Sequence, residues 1–309
     1  MDLVVAGSSP VGHPRFPRAA RTPVRAQRPE FGPRTGAAAA LTSAVAACLT
    51  QIRGNLRGVA MARDPEYLHQ LRVGMRRLSS ALRIWRRLDG GRPPKSLRRE
   101  LRALMAPLGV ARDWDVFLAT WAASLGPLDR RARAKRAAAS RRAASISASL
   151  RFSGFLSHAE QWLRVQPARA SGEGAVPFAR RVLDRLQAKA LRQTRTRGFS
   201  DPDWRHALRV RLKRLRYVAE FFSSCFDAQR ARRYIRRLKA LQDILGDLND
   251  IAVARRLAGE LGGEARSLRR RLDSRQRSLI ASLEPSWAAL EKRRSFWSGE
   301  ARGSTPAAT

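Results

Sequence analysis

The sequence predicts an all-α protein made of two similar helical bundles that are related by a pseudo-twofold axis. Three observations lead to this fold class. Apolar residues recur at steps of three and four along most of the chain, among the helix formers Ala, Leu and Arg. The β-branched runs that are typical of strands are absent. A stretch of 53 residues also repeats 137 positions later, which indicates a duplicated helical unit.

Composition narrows the class of protein further. The 309 residues carry a formal net charge of +37, and 44% of them are hydrophobic, so the chain can bury a core and is not a disordered polycation. The basic residues are 56 arginines and 6 lysines, and planar guanidinium groups favour bidentate recognition of oxyanions. No apolar stretch approaches the roughly 20 residues of a membrane span, so we expect no membrane partner.

Along the chain, the charge lies mainly on the part that is expected to fold. Residues 1–36 hold six prolines and scattered arginines, which predicts a disordered leader, and a disordered tail is predicted over 294–309. The remaining 37–293 carry +32, with repeat one at about 37–166 and repeat two at about 175–293. Helix breaks are predicted at 64–65, 90–94, 126–127, 166–174, 198–202 and 262–263.

The repeat begins at two Asp-Pro pairs, where Asp64 and Asp201 are each expected to cap a helix that has proline in its first turn. From there the register holds without a gap, and residues 64–116 share 16 identities with residues 201–253. The matched positions include His69 with His206. Chance would give far fewer identities, so we infer two copies of one helical unit.

Each copy has two helices with an apolar side and a cationic side. On the first helix, the cationic side holds His69, Arg72, Arg76, Ser80, Arg83 and Arg87 in copy one, and His206, Arg209, Lys213, Tyr217 and Glu220 in copy two. On the following helix it holds Lys95, Arg98, Arg99 and Arg102, and then Arg232, Arg236 and Lys239.

These cationic sides are best explained by a polyanionic ligand. A solvated helix face, which is the alternative, normally alternates Glu with Lys or Arg because like charges one turn apart repel each other. Here the cationic sides of all four helices are almost free of carboxylates, at positions that match between the two copies. The matched histidines fit the same interpretation. Neighbouring cations lower the pKa of a histidine and a bound phosphate raises it again, so that the ring gains a second donor.

Acidic residues follow Gly109 and Gly246, where we predict a glycine C-cap and the start of a new helix. Asp113 matches Asp250, whereas Asp115 and Asp247 lie at different offsets. Because the second acid is not at an equivalent position, a divalent metal site or an acid–base pair is the weaker alternative. Asp113, Asp115 and Asp250 are instead predicted to cap the new helix and orient nearby arginines, with no metal or cofactor.

The two cysteines indicate a reducing cytosol. Cys48 and Cys225 lie far apart in apolar helical contexts, without a CxxC pair or a Cys/His cluster. We predict that both are buried free thiols.

Two pairs of motifs resemble the CHAD family, the conserved histidine α-helical domain. They are LHQLRVGMRRLSSALRIW with LGVARDWDV, followed by RHALRVRLKRLRYVAEFF with LQDILGDLND. The resemblance covers about residues 37–293. It implies two bundles around a pseudo-twofold axis, inorganic polyphosphate bound in a basic central cleft or pore, and association with polyphosphate granules.

The resemblance also implies a set of binding residues. Carried over by position, the polyphosphate path comprises His69, Arg72, Arg76, Arg77, His206, Arg209, Lys213 and Arg214, flanked by Arg102, Arg236 and Lys239. The cationic faces and their neighbours add Arg83, Arg98, Arg216, Tyr217 and Arg232. Ser79 and Ser80 stand where the second copy has Arg216 and Tyr217, so the two halves are expected to grip the ligand unequally.

The sequence therefore predicts non-enzymatic binding of polyphosphate, with two alternatives. Nucleic-acid binding is the first, but single-strand binders interleave aromatic and basic residues. Here Trp85, Phe222 and Tyr234 fall on apolar sides, and only Tyr217 lies on a cationic one. A polyphosphate-processing enzyme is the second, although the sequence has no phosphate-binding GxxxxGK[ST] loop and no nucleophile–base spacing.

Overall fold

The computed structural model describes residues 22–32, 34–62, 64–88, 92–166, 172–194, 198–263, 265–291 and 295–298. These residues are helical almost throughout and contain no β-strand. Their nine α-helices are α1 (Ala37–Ala60), α2 (Pro65–Trp85), α3 (Lys95–Trp121), α4 (Asp129–Ser147), α5 (Leu150–Arg164), α6 (Ala175–Thr194), α7 (Pro202–Phe221), α8 (Ala228–Glu260) and α9 (Arg266–Glu291). The all-α class is confirmed.

The two helices that follow Asp-Pro begin as predicted. The Asp64 side chain accepts a hydrogen bond from the backbone N–H of Glu66 at 2.7 Å, and Pro65 occupies the first helical position of α2. Asp201 caps α7 in the same way, accepting from the backbone N–H of Asp203 at 2.9 Å. Each cap satisfies a donor that a helix N-terminus leaves without an intrahelical partner.

The apolar sides of α2 and α7 form part of the core. Leu71, Met75 and Leu78 on α2 are fully buried, and so are Leu208 and Leu212 on α7. Burial of each such side chain is worth about 1.5–3 kcal/mol, so these stripes fix which way each helix faces. The predicted apolar faces are therefore confirmed.

Four helices surround a common space. Helix α2 packs against α3 and α7, and α8 packs against the same two helices. Helix α1 covers the outer side of α2, and α6 covers α7. Because the outer sides of α2 and α7 are apolar and covered, their cationic sides are left for the space between the four helices.

The predicted helix break after Gly109 and Gly246 is wrong. Helix α3 continues through Gly109 to Trp121, and α8 continues through Gly246 to Glu260. In α3 the buried stripe runs on through Leu108, Ala111 and Trp114. Packing of this stripe outweighs the roughly 1 kcal/mol that a glycine costs inside a helix.

The predicted leader over 1–36 is too long, because residues 22–32 pack on the helices. The backbone N–H of Val24 donates to Asn55 on α1 at 3.1 Å, and the Asn55 amide donates back to Val24 O at 2.8 Å. Pro29 is buried, and the Phe31 ring lies 6.2 Å from the ring of Phe222. We call residues 22–32 the N-terminal strap. The part of the prediction on residues 1–21 lies outside the described residues.

The predicted tail over 294–309 is wrong for residues 295–298. Phe296 and Trp297 are buried, and the Trp297 ring packs edge-on against Tyr234 at 5.1 Å. The Trp297 indole N–H donates to Asp184 on α6 at 2.7 Å, which ties this segment to a second helix. Two large aromatic rings supply the burial that the short segment needs to stay in place.

Two further predictions concern the cysteine thiols and membrane-spanning helices. Cys48 and Cys225 are free and buried, as predicted, and burial raises the pKa of the Cys48 thiol to about 12. Among the described helices, none combines the length and the apolar character that crossing a bilayer requires.

Replacing Trp297 with alanine tests whether residues 295–298 belong to the fold. We expect the free energy of unfolding to fall by about 3–5 kcal/mol, because a buried aromatic side chain and its hydrogen bond are both lost. Chemical denaturation measures the change. Leu150→Ala is the control, since Leu150 is 72% exposed and should change stability by less than about 0.5 kcal/mol. Equal stability of the two variants would contradict the packed position of Trp297.

Candidate functional site

A cleft of about 610 Å³ lies between α2, α3, α7 and α8. Its walls carry many cations and only two carboxylates. The basic residues that line it are His69, Arg72, Arg76, Arg83, Arg112, Arg209, Lys213 and Arg214, and the carboxylates are Asp113 and Asp250. Of the predicted binding residues, the structure therefore brings together those near the middle of α2 and α7, and Tyr217 lines the cleft beside them.

Like charges are held close together in this cleft. Burial and the neighbouring Arg76 lower the pKa of Arg72 to about 10. Burial, followed by the charges of Arg209 and Arg76, lowers the pKa of Lys213 to about 6. At neutral pH the ligand-free Lys213 amine is mostly uncharged, and an anion bound beside it raises its pKa, so binding takes up a proton.

Several guanidinium donors in the cleft have no acceptor. The Nε atoms of Arg72, Arg76 and Arg209 are buried, and none of them donates a hydrogen bond to any atom of the described residues. A buried donor without a partner costs about 1–3 kcal/mol, more when the group is charged. The three arginines come from α2 and α7, and all three line the cleft.

The two matched histidines have different positions. His69 lines the cleft, and burial followed by the charge of Arg112 lowers its pKa. His206 is exposed and is not among the residues that line the cleft. The equivalent sequence positions therefore do not give equivalent access to this space.

Asp113 and Asp250 face the cleft from the middle of α3 and α8, so the predicted helix-capping role is wrong for both. The Asp113 carboxylate accepts a hydrogen bond from Arg256 at 3.2 Å. Burial raises the pKa of both carboxyl groups, against the lowering effect of Arg72 on Asp113 and of Arg209 on Asp250. Among the described residues, neither carboxylate forms an ion pair with Arg72 or Arg209, so the orienting role of Asp113 and Asp250 stays a prediction.

Gly109 has a role that differs from the predicted C-cap. A Cβ atom at this position would lie 2.8 Å from Nη1 of Arg72. Glycine therefore allows the Arg72 guanidinium to lie directly against α3. At the matched Gly246, a Cβ would have no neighbour within 4 Å.

Arg77 is not available to a ligand, which corrects its predicted place on the path. The side chain is buried and forms an ion pair with Glu220 of α7. It also donates to Gln27 O of the N-terminal strap at 3.0 Å and lies over the Phe221 ring at 4.9 Å. A buried cation needs such partners, and Arg77 finds them in the protein.

Arg216 also differs from its prediction. It pairs with Glu220 at 3.2 Å and lies 5.1 Å from the Tyr217 ring centroid, outside the lining of the cleft. The Tyr217 ring, which lines the cleft, contacts both Arg216 and Arg77. One buried carboxylate thus pairs with two predicted binding residues.

The remaining predicted residues lie outside the cleft lining. They are Arg98 and Arg102 on α3, and the exposed Arg232, Arg236 and Lys239 on α8. Lys239 is ten residues from Asn249, the first α8 residue of the cleft, which corresponds to about 15 Å along a helix. Asp115 is buried and accepts from the Arg136 Nε at 2.7 Å; it orients that arginine but caps no helix.

Sequence reasoning missed Arg112 and Asn249 as lining residues. They occupy matched positions 137 apart, directly before Asp113 and Asp250, and they point into the cleft with those acids. Their adjacency to the matched aspartates was the available signal. The assumed helix break hid it, because a continuous helix is needed to work out which side chains share a face.

The cleft can bind anions by charge and hydrogen bonding. No group of three or more His, Cys, Asp or Glu that could hold a metal ion occurs in the described part of the chain. Apolar side chains, among them Met105, Val116 and Phe117, complete its walls.

Comparisons with known proteins identify the family of this chain and proteins of similar fold. The CHAD domain family model matches residues 43–259. The crystal structure of the CHAD domain from the plant Ricinus communis is 28% identical, covers 92% of this chain and 100% of its own, and superimposes with a TM-score of 0.79. PptA from Streptomyces chartreusis shares the fold at 20% identity, with a TM-score of 0.58 and coverage of 84% and 99%. No curated protein matches the chain significantly. Since the family model spans most of the sequence, the chain belongs to the CHAD domain family.

Proposed function

We propose that this protein binds inorganic polyphosphate in the cleft between α2, α3, α7 and α8, without chemical turnover. A linear chain with about one charge per phosphate fits a narrow space that has cations on facing helices. The guanidinium and ammonium groups replace the counterions of the chain, so that affinity falls steeply with salt. Membership of the CHAD family, which is associated with polyphosphate, supports the proposal.

One observation carries the proposal. Arg72, Arg76 and Arg209 line the cleft from two helices, and none of their guanidinium groups forms an ion pair or a hydrogen bond with a described residue. Oxyanions bound in the cleft would supply acceptors for these groups and reduce the repulsion between the cations.

Nucleic acid is the competing ligand, and the aromatic residues argue against it. Single-strand binders stack bases on exposed aromatic rings. Two aromatic residues, Phe117 and Tyr217, line the cleft, and their exposed fractions are only 1% and 3%. A bare phosphate chain needs no such stacking surface.

The proposal includes three further predictions from the sequence, which concern the internal duplication, the location in the cell and the role of the protein. The helix pairs α2–α3 and α7–α8 would be copies of one unit, arranged around a pseudo-twofold axis with the cleft at its centre. The protein would act in the cytoplasm and associate with polyphosphate granules. Its role would be binding and targeting, not catalysis.

Alanine variants of Arg72 and Arg209 test the proposed function. We expect each variant to bind long-chain polyphosphate about tenfold more weakly at low salt. Each should also lower the slope of log K against log salt by about one, because one phosphate contact is lost. Titration calorimetry over a salt series measures both quantities.

Arg270→Ala is the control, because Arg270 is exposed on α9 and is not among the residues that line the cleft. It should leave the affinity within about twofold. If all three variants bind like the wild type, or if the wild type does not bind polyphosphate, the proposed function is wrong.

Gly109→Ala and Gly246→Ala form a matched pair that tests the position of Arg72. The added methyl group displaces the Arg72 guanidinium only in the first variant. Both changes favour the helix by about 0.5–1 kcal/mol. We therefore expect Gly109→Ala to weaken polyphosphate binding several-fold without loss of thermal stability, and Gly246→Ala to bind normally. If the two variants bind polyphosphate equally well, the position of the Arg72 guanidinium against α3 does not contribute to binding.

A further inference from the structure

The cleft continues into a second group of cations at the C-terminal end of α2. Arg83 and Arg214 line the cleft there, and Arg86 and Arg87 directly follow the last residue of α2. We define the Arg83 shelf as the five arginines at this end of α2 and on the neighbouring first turns of α3: Arg83, Arg86, Arg87, Arg98 and Arg102. Arg83, Arg86 and Arg102 are exposed, so a ligand can reach the shelf from solvent.

The shelf is not neutralised by the protein. None of the five guanidinium groups forms an ion pair with a carboxylate of the described residues, and the Arg98 Nε is buried without an acceptor there. Burial, and then the charges of Arg86, Arg102 and Arg83, lower the pKa of Arg98. Arg214, at the edge of the cleft, is close enough to Arg83 and Arg87 for their charges to lower its pKa after burial.

The matched end of α7 differs at almost every shelf position. The residues found 137 positions after Arg83, Arg86, Arg87 and Arg98 are Glu220, Ser223, Ser224 and Ile235. Glu220 holds Arg77 in an ion pair, and the hydroxyl of Ser224 donates to Pro29 O of the N-terminal strap at 3.3 Å. One end of the helix pair thus carries five arginines, while the other lacks four of them and contacts the strap.

A solvated helix end does not account for this contrast. Exposed like charges repel, and the second copy shows that the same fold can do without four of the five arginines. The cations remain beside Arg83 and Arg214, which line the cleft, and four of the five are missing at the matched end of α7, where the strap packs. Their position suits a ligand that leaves the cleft at Arg83 and Arg214.

We propose that the Arg83 shelf is a second phosphate-binding site, which holds the part of a polyphosphate chain that extends beyond the cleft. This inference rests on the proposed function and specifies its ligand as long chains. A short chain fits in the cleft and leaves the shelf empty, whereas a long chain occupies both. The protein therefore prefers long polyphosphate to short polyphosphate, and the chain leaves the cleft at one end only.

The test compares tripolyphosphate with long-chain polyphosphate as ligands of the full chain. The double variant Arg86→Ser with Arg87→Ser introduces the residues that the second copy carries. We expect it to bind long chains about tenfold more weakly and tripolyphosphate within about twofold of the wild type. The control is Arg233→Ser with Arg237→Ser, which removes the same charge from the exposed face of α8 and should change neither affinity by more than about twofold.

Each outcome decides between the two proposals. If the shelf variant binds both ligands like the wild type, or weakens both equally, the shelf is wrong and the cleft proposal stands. If the α8 control weakens long-chain binding as much as the shelf variant does, the total positive charge of the protein explains the preference for long chains. The proposal of a second binding site at the shelf is then wrong. If the wild type binds neither ligand, the proposed function itself fails. Arg86→Ser alone, at an exposed position, repeats the test if the double variant is unstable.

Discussion

The structure depends on like charges that are forced together by hydrophobic packing. Helices α2 and α7 bury apolar stripes on their outer sides, and each buried side chain contributes about 1.5–3 kcal/mol. The repulsion between neighbouring cations on the inner sides is smaller per pair, so packing decides the orientation of both helices. The result is a cleft whose arginines are near one another and short of acceptors. The proposed affinity for anions would follow from this arrangement, which is present without a ligand.

The same constraint explains why the two halves are unequal. Where Glu220 stands, Arg77 and Arg216 are paired within the protein, and the strap packs over the site. Where Arg83 stands, no carboxylate of the described residues is paired with it, and Arg86, Arg98 and Arg102 lie nearby. One acidic residue in place of a basic one thus decides whether the neighbouring arginines are paired within the protein. The proposed unequal grip on the ligand would depend on this position.

Some features of the structure could be predicted from the sequence, and others could not. Periodicity identified the apolar faces of α2 and α7, and the Asp-Pro pairs located their first turns, because both depend on residues close together in the chain. The burial of Arg77 depends on Glu220, which is 143 positions away, so no local pattern could show it. The predicted helix break after Gly109 was wrong because packing around Leu108 and Ala111 outweighs the local cost of a glycine. Phe296 and Trp297 lie in a short polar segment whose burial follows only from the helices around it.

The central claim is that the cleft keeps cations at a cost to stability until a polyanion satisfies them. Thermal unfolding of Lys213→Met at pH 7, with and without long-chain polyphosphate, tests it most directly. The pKa of Lys213 in the folded protein is about 6, well below its ordinary value, so the lysine destabilises the ligand-free fold at this pH. The account predicts that the variant unfolds at a higher temperature than the wild type without ligand and gains less from polyphosphate. A variant that is less stable without ligand, or equally stabilised by it, would contradict the account.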